Sequence, residues 1–137
     1  MKNLFIGYLI GYIWAYAWIY IIVIPVIRNE YTHQNFLTSM NNLAQDKLND
    51  LVATNTWSHT NSDGCNYSCR LKKFVPTFTW IGENLYKGNC DINNALNMFQ
   101  KSPIHKANLD HQFTYQTMQM QNIGNNQCYI VFEYGIP

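Results

Sequence analysis

From Leu4 to Ile27 the chain carries no charged side chain, reading "LFIGYLIGYIWAYAWIYIIVIPVI". No polar face interrupts this run, and about 20 apolar residues are enough for a helix to cross the roughly 30 Å hydrocarbon core of a bilayer. The pattern predicts a transmembrane helix over 4–27, behind a short cytoplasmic end at 1–3. Residues 28–39, "RNEYTHQNFLTS", turn polar and read as a connector. From there apolar side chains fall at Met40, Leu43, Ala44, Leu48, Leu51 and Val52, the spacing of one buried helical stripe. Thr38 or Ser39 is the candidate cap of that helix and Asn55 its candidate stop.

Beyond it, "WSHTNSDGCNYSCR" is dense in Ser, Asn, Asp and Gly and predicts a loop, followed by a basic patch at Arg70, Lys72 and Lys73. Pro76 precedes "TFTWIGENLY", which fits a short strand. Asp91 can cap a helix through "INNALNMFQK" with Ile92, Ala95, Leu96 and Phe99 on one side. Pro103 can open a second short helix, "PIHKANL". "FTYQTMQMQNI" and "CYIVFEYG" then read as two strands joined at "GNNQ", a hairpin signal. Helices first, strands last and a helical pair between them predict an α+β domain over 40–137.

Charge narrows the partners. Of nine Lys and Arg residues only Lys2 precedes the polar part, so eight basic side chains face eight acidic ones there. No basic stripe supports nucleic-acid binding. All four cysteines, Cys65, Cys69, Cys90 and Cys128, follow the apolar run, which suits an oxidising compartment. The expected arrangement is a single-pass membrane protein with its C-terminal domain outside the cytoplasm. Secretion after cleavage is the alternative, since Ala15-Tyr16-Ala17 has the small-x-small form of a cleavage site. Cutting there would leave "WIYIIVIPVI" as a free apolar end, which favours a retained anchor. Gly7 and Gly11 have small-xxx-small spacing, and the sequence leaves self-pairing of the anchor open.

The cysteine spacing fits no common zinc ribbon or finger, so two disulfides are expected. Three pairings are possible. The preferred one closes a small loop with Cys65–Cys69 and ties a helix start to the last strand with Cys90–Cys128.

Three polar residues stand in apolar or turn-like surroundings: His59 in "WSHTNSDG", Glu83 in "WIGENLY" and His105 in "SPIHKANL". Two imidazoles and a carboxylate are the ingredients of a metal site, zinc or another divalent ion. They equally suit a hydrogen-bonded cluster without metal. There is no HxxxH or HExxH, so spacing does not choose.

The stretches "NNLAQDKLNDLVATNTWSHTNSDG", Arg70, "WIGENLYKG", "FQKSPIHKANL" and "CYIVFEYG" occur in an order and spacing that resemble the CAP superfamily: cysteine-rich secretory proteins, antigen 5 and pathogenesis-related class 1 proteins. The similarity covers roughly residues 40–137 and is nearest to the compact bacterial-type branch, the SCP-like domains. It implies an α-β-α sandwich with a small antiparallel sheet between helices. It also implies that Glu83, His59 and His105 share a central cleft able to hold a divalent metal, often zinc. Three departures qualify the likeness. Phe99 and Ser102 take the places of a Trp and a second cleft Glu. "DHQFTYQ" echoes a His-containing strand motif of animal and plant members, which makes His111 the alternative to His105. The stretch ahead of the first helix is short.

Three functions follow from this reading. The first is a membrane-anchored binding module whose partner is a lipid, glycan or protein. The second is a metal-dependent, peptidase-like hydrolase with Glu83 as base and His59 and His105 as ligands. The third is a purely structural, disulfide-stabilised domain. The absence of a nucleophile motif favours binding over catalysis. The aromatics Trp57, Trp80, Tyr86 and Phe99 read as core and cleft wall.

Overall fold

The computed structural model describes residues 24–78 and 80–136. The chain divides into two units, 1–35 and 36–137. Its elements are α1 (Ile24–Thr54), α2 (Tyr67–Phe74), β1 (Trp80–Asn89), α3 (Ile92–Gln100), α4 (Pro103–Asp110), β2 (Tyr115–Gly124) and β3 (Gln127–Ile136). The architecture is α+β. The expected transmembrane helix lies outside the described residues except at 24–27. Among the described residues no helix is long and apolar enough to cross a membrane.

The expected connector 28–39 is helical instead, part of α1, so neither Thr38 nor Ser39 begins a helix. This stretch contains no Gly or Pro, and polar residues alone do not break a helix that is already propagating. The expected stripe is buried at Met40, Leu43, Ala44, Leu48 and Leu51. Asn55 ends the helix with φ 52°.

The three strands are antiparallel in the order β1-β3-β2, with β3 central. Alternate side chains of β3 face opposite ways, as a strand's period of two dictates. Cys128, Ile130, Phe132 and Tyr134 pack with Ala95 and Phe99 of α3, whereas Tyr129 and Val131 pack with Ala44, Leu48 and Leu51 of α1. The sheet therefore lies between α1 on one face and α3 on the other. The hairpin turn carries Asn125 and Asn126 at φ 52° and 55°, the left-handed pair that a two-residue turn between twisted strands requires.

Asp91 caps α3 as expected, accepting from the Asn93 backbone N–H, and Pro103 opens α4. Ile92, expected on the buried side of α3, is exposed. The expected loop after Trp57 contains a helix, α2, because the Asn66 side chain accepts from the Cys69 N–H and caps it. Arg70 on that helix is fully buried and so belongs to no surface basic patch. Both disulfides have the preferred pairing, Cys65–Cys69 and Cys90–Cys128.

Candidate functional site

β1 is an edge strand, and the site is built around its middle. Register sets Glu83 directly opposite Glu133 of β3, so both side chains stand on the same face of the sheet. That is the face of Leu85 and Val131, toward α1. The Glu83 side chain is 2% exposed.

The Glu83 oxygens have separate partners. Oε1 accepts from His59 Nδ1 at 2.5 Å, and Oε2 accepts from Arg70 Nη2. A carboxylate only accepts, so in this contact His59 carries its proton on Nδ1. Arg70 also donates through Nη1 to the His59 backbone carbonyl at 2.6 Å and to Asn61 Oδ1 at 3.2 Å. Glu133 Oε2 accepts from Tyr67 Oη at 3.3 Å.

Two buried carboxyls this close do not both ionise. Burial pushes Glu83 upward, but hydrogen bonds from His59 and Glu133 and the Arg70 charge outweigh it and hold its pKa below the ordinary value. Burial, then the charge of Glu83, raises Glu133 well above its ordinary value. Glu83 is thus the anion, and Glu133 holds a proton that it can donate to Glu83. Burial also pushes the Tyr67 hydroxyl strongly up, reinforced by Glu133 and Glu83.

The loop bearing His59 is fastened from below by α1. Lys47, fully buried, donates to Asp50, to the Thr60 carbonyl and to Asn61 Oδ1 at 3.3, 3.3 and 3.1 Å. Asn61 in turn donates to Asp46 at 2.9 Å. Asp50 accepts from the Ser62 N–H and hydroxyl. Burial and the Arg70 charge lower the Lys47 pKa, partly offset by Asp50.

On the other side of β1, Asn84 donates to the His105 carbonyl at 3.1 Å, and Asn108 donates to Asn84 Oδ1 at 2.8 Å. These bonds hold α4 against the strand. His105 Nδ1 lies 2.9 Å from Ser102 Oγ, so Ser102 meets this ring and makes no side-chain cap of α4. Burial and the nearby His59 charge lower the His105 pKa.

His59 and His105 thus reach the β1 edge from opposite sides of the sheet. His105 lines a cavity of about 450 Å³ whose walls also include Trp57, Tyr86, Lys87, Met98 and Phe99. His111 caps the far end of α4 and lines a separate cavity with Asn108, Phe113 and Tyr134.

Among the described residues no group of three or more His, Cys, Asp or Glu side chains is arranged to hold a metal ion. His59 and His105 each have Nδ1 hydrogen-bonded, leaving Nε2 as their remaining ring nitrogen. The His59–Glu83 pair has the carboxylate–imidazole form that orients a metal-ligating histidine from behind. His59 and His105 are therefore two candidate imidazole ligands, fewer than the three protein ligands usual for catalytic zinc.

Arg70, Glu133, Tyr67, Lys47 and Asn61 were not assigned a site role from sequence. Glu133 had a usable signal, being the only charge in "CYIVFEYG", the same anomaly that marked Glu83. Lys47 falls in the apolar stripe of α1 and could have been noticed there.

No protein-family model matches the chain, and no curated protein sequence matches it. Among solved structures it is similar to an outer surface protein of Borrelia burgdorferi, with TM-score 0.64 and 22% identity over 72% of this chain and 73% of that one. It is also similar to an extracellular protein containing a SCP domain from Bacillus anthracis, with TM-score 0.55 and 23% identity over 69% of this chain. The match spans 31% of the Bacillus protein. The chain shares its fold with these proteins, one of which contains a SCP domain.

Proposed function

We propose that this protein is an extracytoplasmic ligand- or partner-binding module of the SCP-like type, tethered to a membrane through residues 4–27. The observation that carries the binding reading is the commitment of both Glu83 oxygens, one to His59 and one to Arg70. A carboxylate held this way orients an imidazole and balances a guanidinium; it is poorly placed to take a proton from water. That argues against Glu83 as the base of a hydrolase. Two disulfides and the surface or extracellular descriptions of the similar structures support a position outside the cytoplasm.

In this reading the cleft at the β1 edge receives the ligand. If a divalent ion takes part, His59 and His105 would hold it, and it would supply an electrophilic anchor for an anionic ligand group. Glu83 would act from behind, fixing the His59 tautomer.

A calorimetric zinc titration of the oxidised full-length chain, beside a His59→Ala/His105→Ala double variant, tests this. Binding on the order of micromolar, lost in the variant, supports a shared metal-accessible cleft. No uptake by a folded wild type would leave the cluster as a purely structural element and move attention to metal-free ligands.

A further inference from the structure

The cavity lined by His105 has a chemistry of its own. Rings dominate its walls: Trp57, Tyr86, Phe99 and the imidazole of His105. Trp57 is 49% exposed yet fixed, stacked on Tyr129 with ring centroids 6.0 Å apart and an interplanar angle of 17°. Phe99 and His105 are likewise in ring contact at 5.3 Å. An exposed indole held flat by a buried neighbour is a preorganised surface for another ring, since aromatic pairs gain from offset or edge-on geometry beyond simple burial.

One full positive charge lines this cavity. Lys87 Nζ lies 4.9 Å from the centre of the Tyr129 ring and donates to Asn55 Oδ1 at 2.8 Å. Asn55 also accepts from Tyr129 Oη at 2.7 Å, so the Trp57–Tyr129–Lys87 group is tied together at one point. Among the described residues Lys87 forms no ion pair with a carboxylate. Of the other polar groups on its walls, Ser102 Oγ is bonded to His105 Nδ1 and Tyr86 Oη accepts from Asn94, whereas His105 Nε2 can exchange one hydrogen bond with a ligand.

We infer that this cavity binds a small aromatic carboxylate, its ring among Trp57, Tyr86 and Phe99 and its anionic group toward Lys87. A volume of about 450 Å³ lies within the range of small-molecule pockets, which typically combine apolar walls with a few placed polar groups. The ring-rich lining favours an aromatic body over an acyl chain, because only Leu85 and Met98 among its walls are flexible aliphatic side chains. A sugar is disfavoured because hydroxyl-matching donors and acceptors are few. The inference rests on the binding-module reading and names the ligand class of the same cleft.

The test is calorimetric titration of the full-length chain in zwitterionic nanodiscs, with empty nanodiscs subtracted. The probes are 2-naphthoate, octanoate, 2-naphthalenemethanol and acetate. The expected result is that 2-naphthoate binds at least about tenfold more tightly than the other three, each of which lacks the ring or the charge. Lys87→Met and Trp57→Leu should each weaken it by about tenfold, and Lys87→Arg should restore it. Three results would overturn the inference: octanoate binding as well as 2-naphthoate, unchanged affinity in Lys87→Met, or no uptake of 2-naphthoate. Zinc titration of the same samples separates the two levels. Zinc uptake by the histidines without naphthoate binding sinks the aromatic carboxylate and leaves the cleft as a binding site, whereas loss of both sinks both.

Discussion

Glu83 and Glu133 face each other across the β1–β3 ladder, and the protein keeps one charged and the other protonated. His59 and Arg70 together favour Glu83 as the anion. The imidazole and the guanidinium each bond a Glu83 oxygen, leaving Glu133 to hold the proton, with Tyr67 hydrogen-bonded to its Oε2.

This division predicts stability limits on both sides. Glu83 has its folded pKa below the ordinary 4.5, so its contribution is present above that value and is lost as pH falls through the folded pKa. Glu133 has its folded pKa well above 4.5, so its contribution is present below that value and is lost as pH rises through the folded pKa. Thermal unfolding followed over a pH series spanning both limbs should give a dome. In Glu133→Gln the alkaline limb should flatten while the acid limb stays. An unchanged alkaline limb would place the proton elsewhere.

Among the described residues, Arg70 is the only cation bonded to the buried Glu83 carboxylate apart from any charge on His59. Arg70→Met should cost about 3–5 kcal/mol, the usual result of leaving a buried charge without its partner. Urea denaturation would measure it. A loss of less than about 1 kcal/mol, the scale of an exposed pair, would mean that Glu83 picks up a proton at little cost once Arg70 is gone.

The disulfides should contribute unequally. Cys90–Cys128 closes a loop of sequence separation 38 and Cys65–Cys69 one of 4. Loop-closure entropy assigns them about 4 and about 2 kcal/mol respectively. Paired Cys→Ala variants compared by denaturant midpoint would check the order, which reversal would contradict.

Gly82 sits where strand and helix meet. A Cβ there would stand 2.5 Å from Asn108 Oδ1, and Asn108 bonds both the Glu83 carbonyl and Asn84. Gly82→Ala should destabilise by about 1–3 kcal/mol through overpacking. It should also broaden the NMR signals of the His105 ring, because α4 is displaced. A variant of wild-type stability with an unmoved His105 would show that Asn108 can swing aside freely.

Much of this was legible in the chain. The α1 stripe, the Asp91 cap, Pro103 at a helix start and the Asn125–Asn126 turn each follow from local backbone or periodicity rules that need no distant partner. The apolar run at 4–27 is likewise a property of composition alone. His59, Glu83 and His105 could be singled out because each departs from its immediate surroundings. What the sequence could not determine was who bonds whom. Glu83 and Glu133 are paired by strand register, Arg70 is delivered by a helix that read as loop, and Lys47 lies hidden in an apolar stripe. Which carboxyl keeps the charge depends on burial and on the positions of one imidazole and one guanidinium. Those are sums over neighbours far apart in the chain, and only the tertiary structure brings them together.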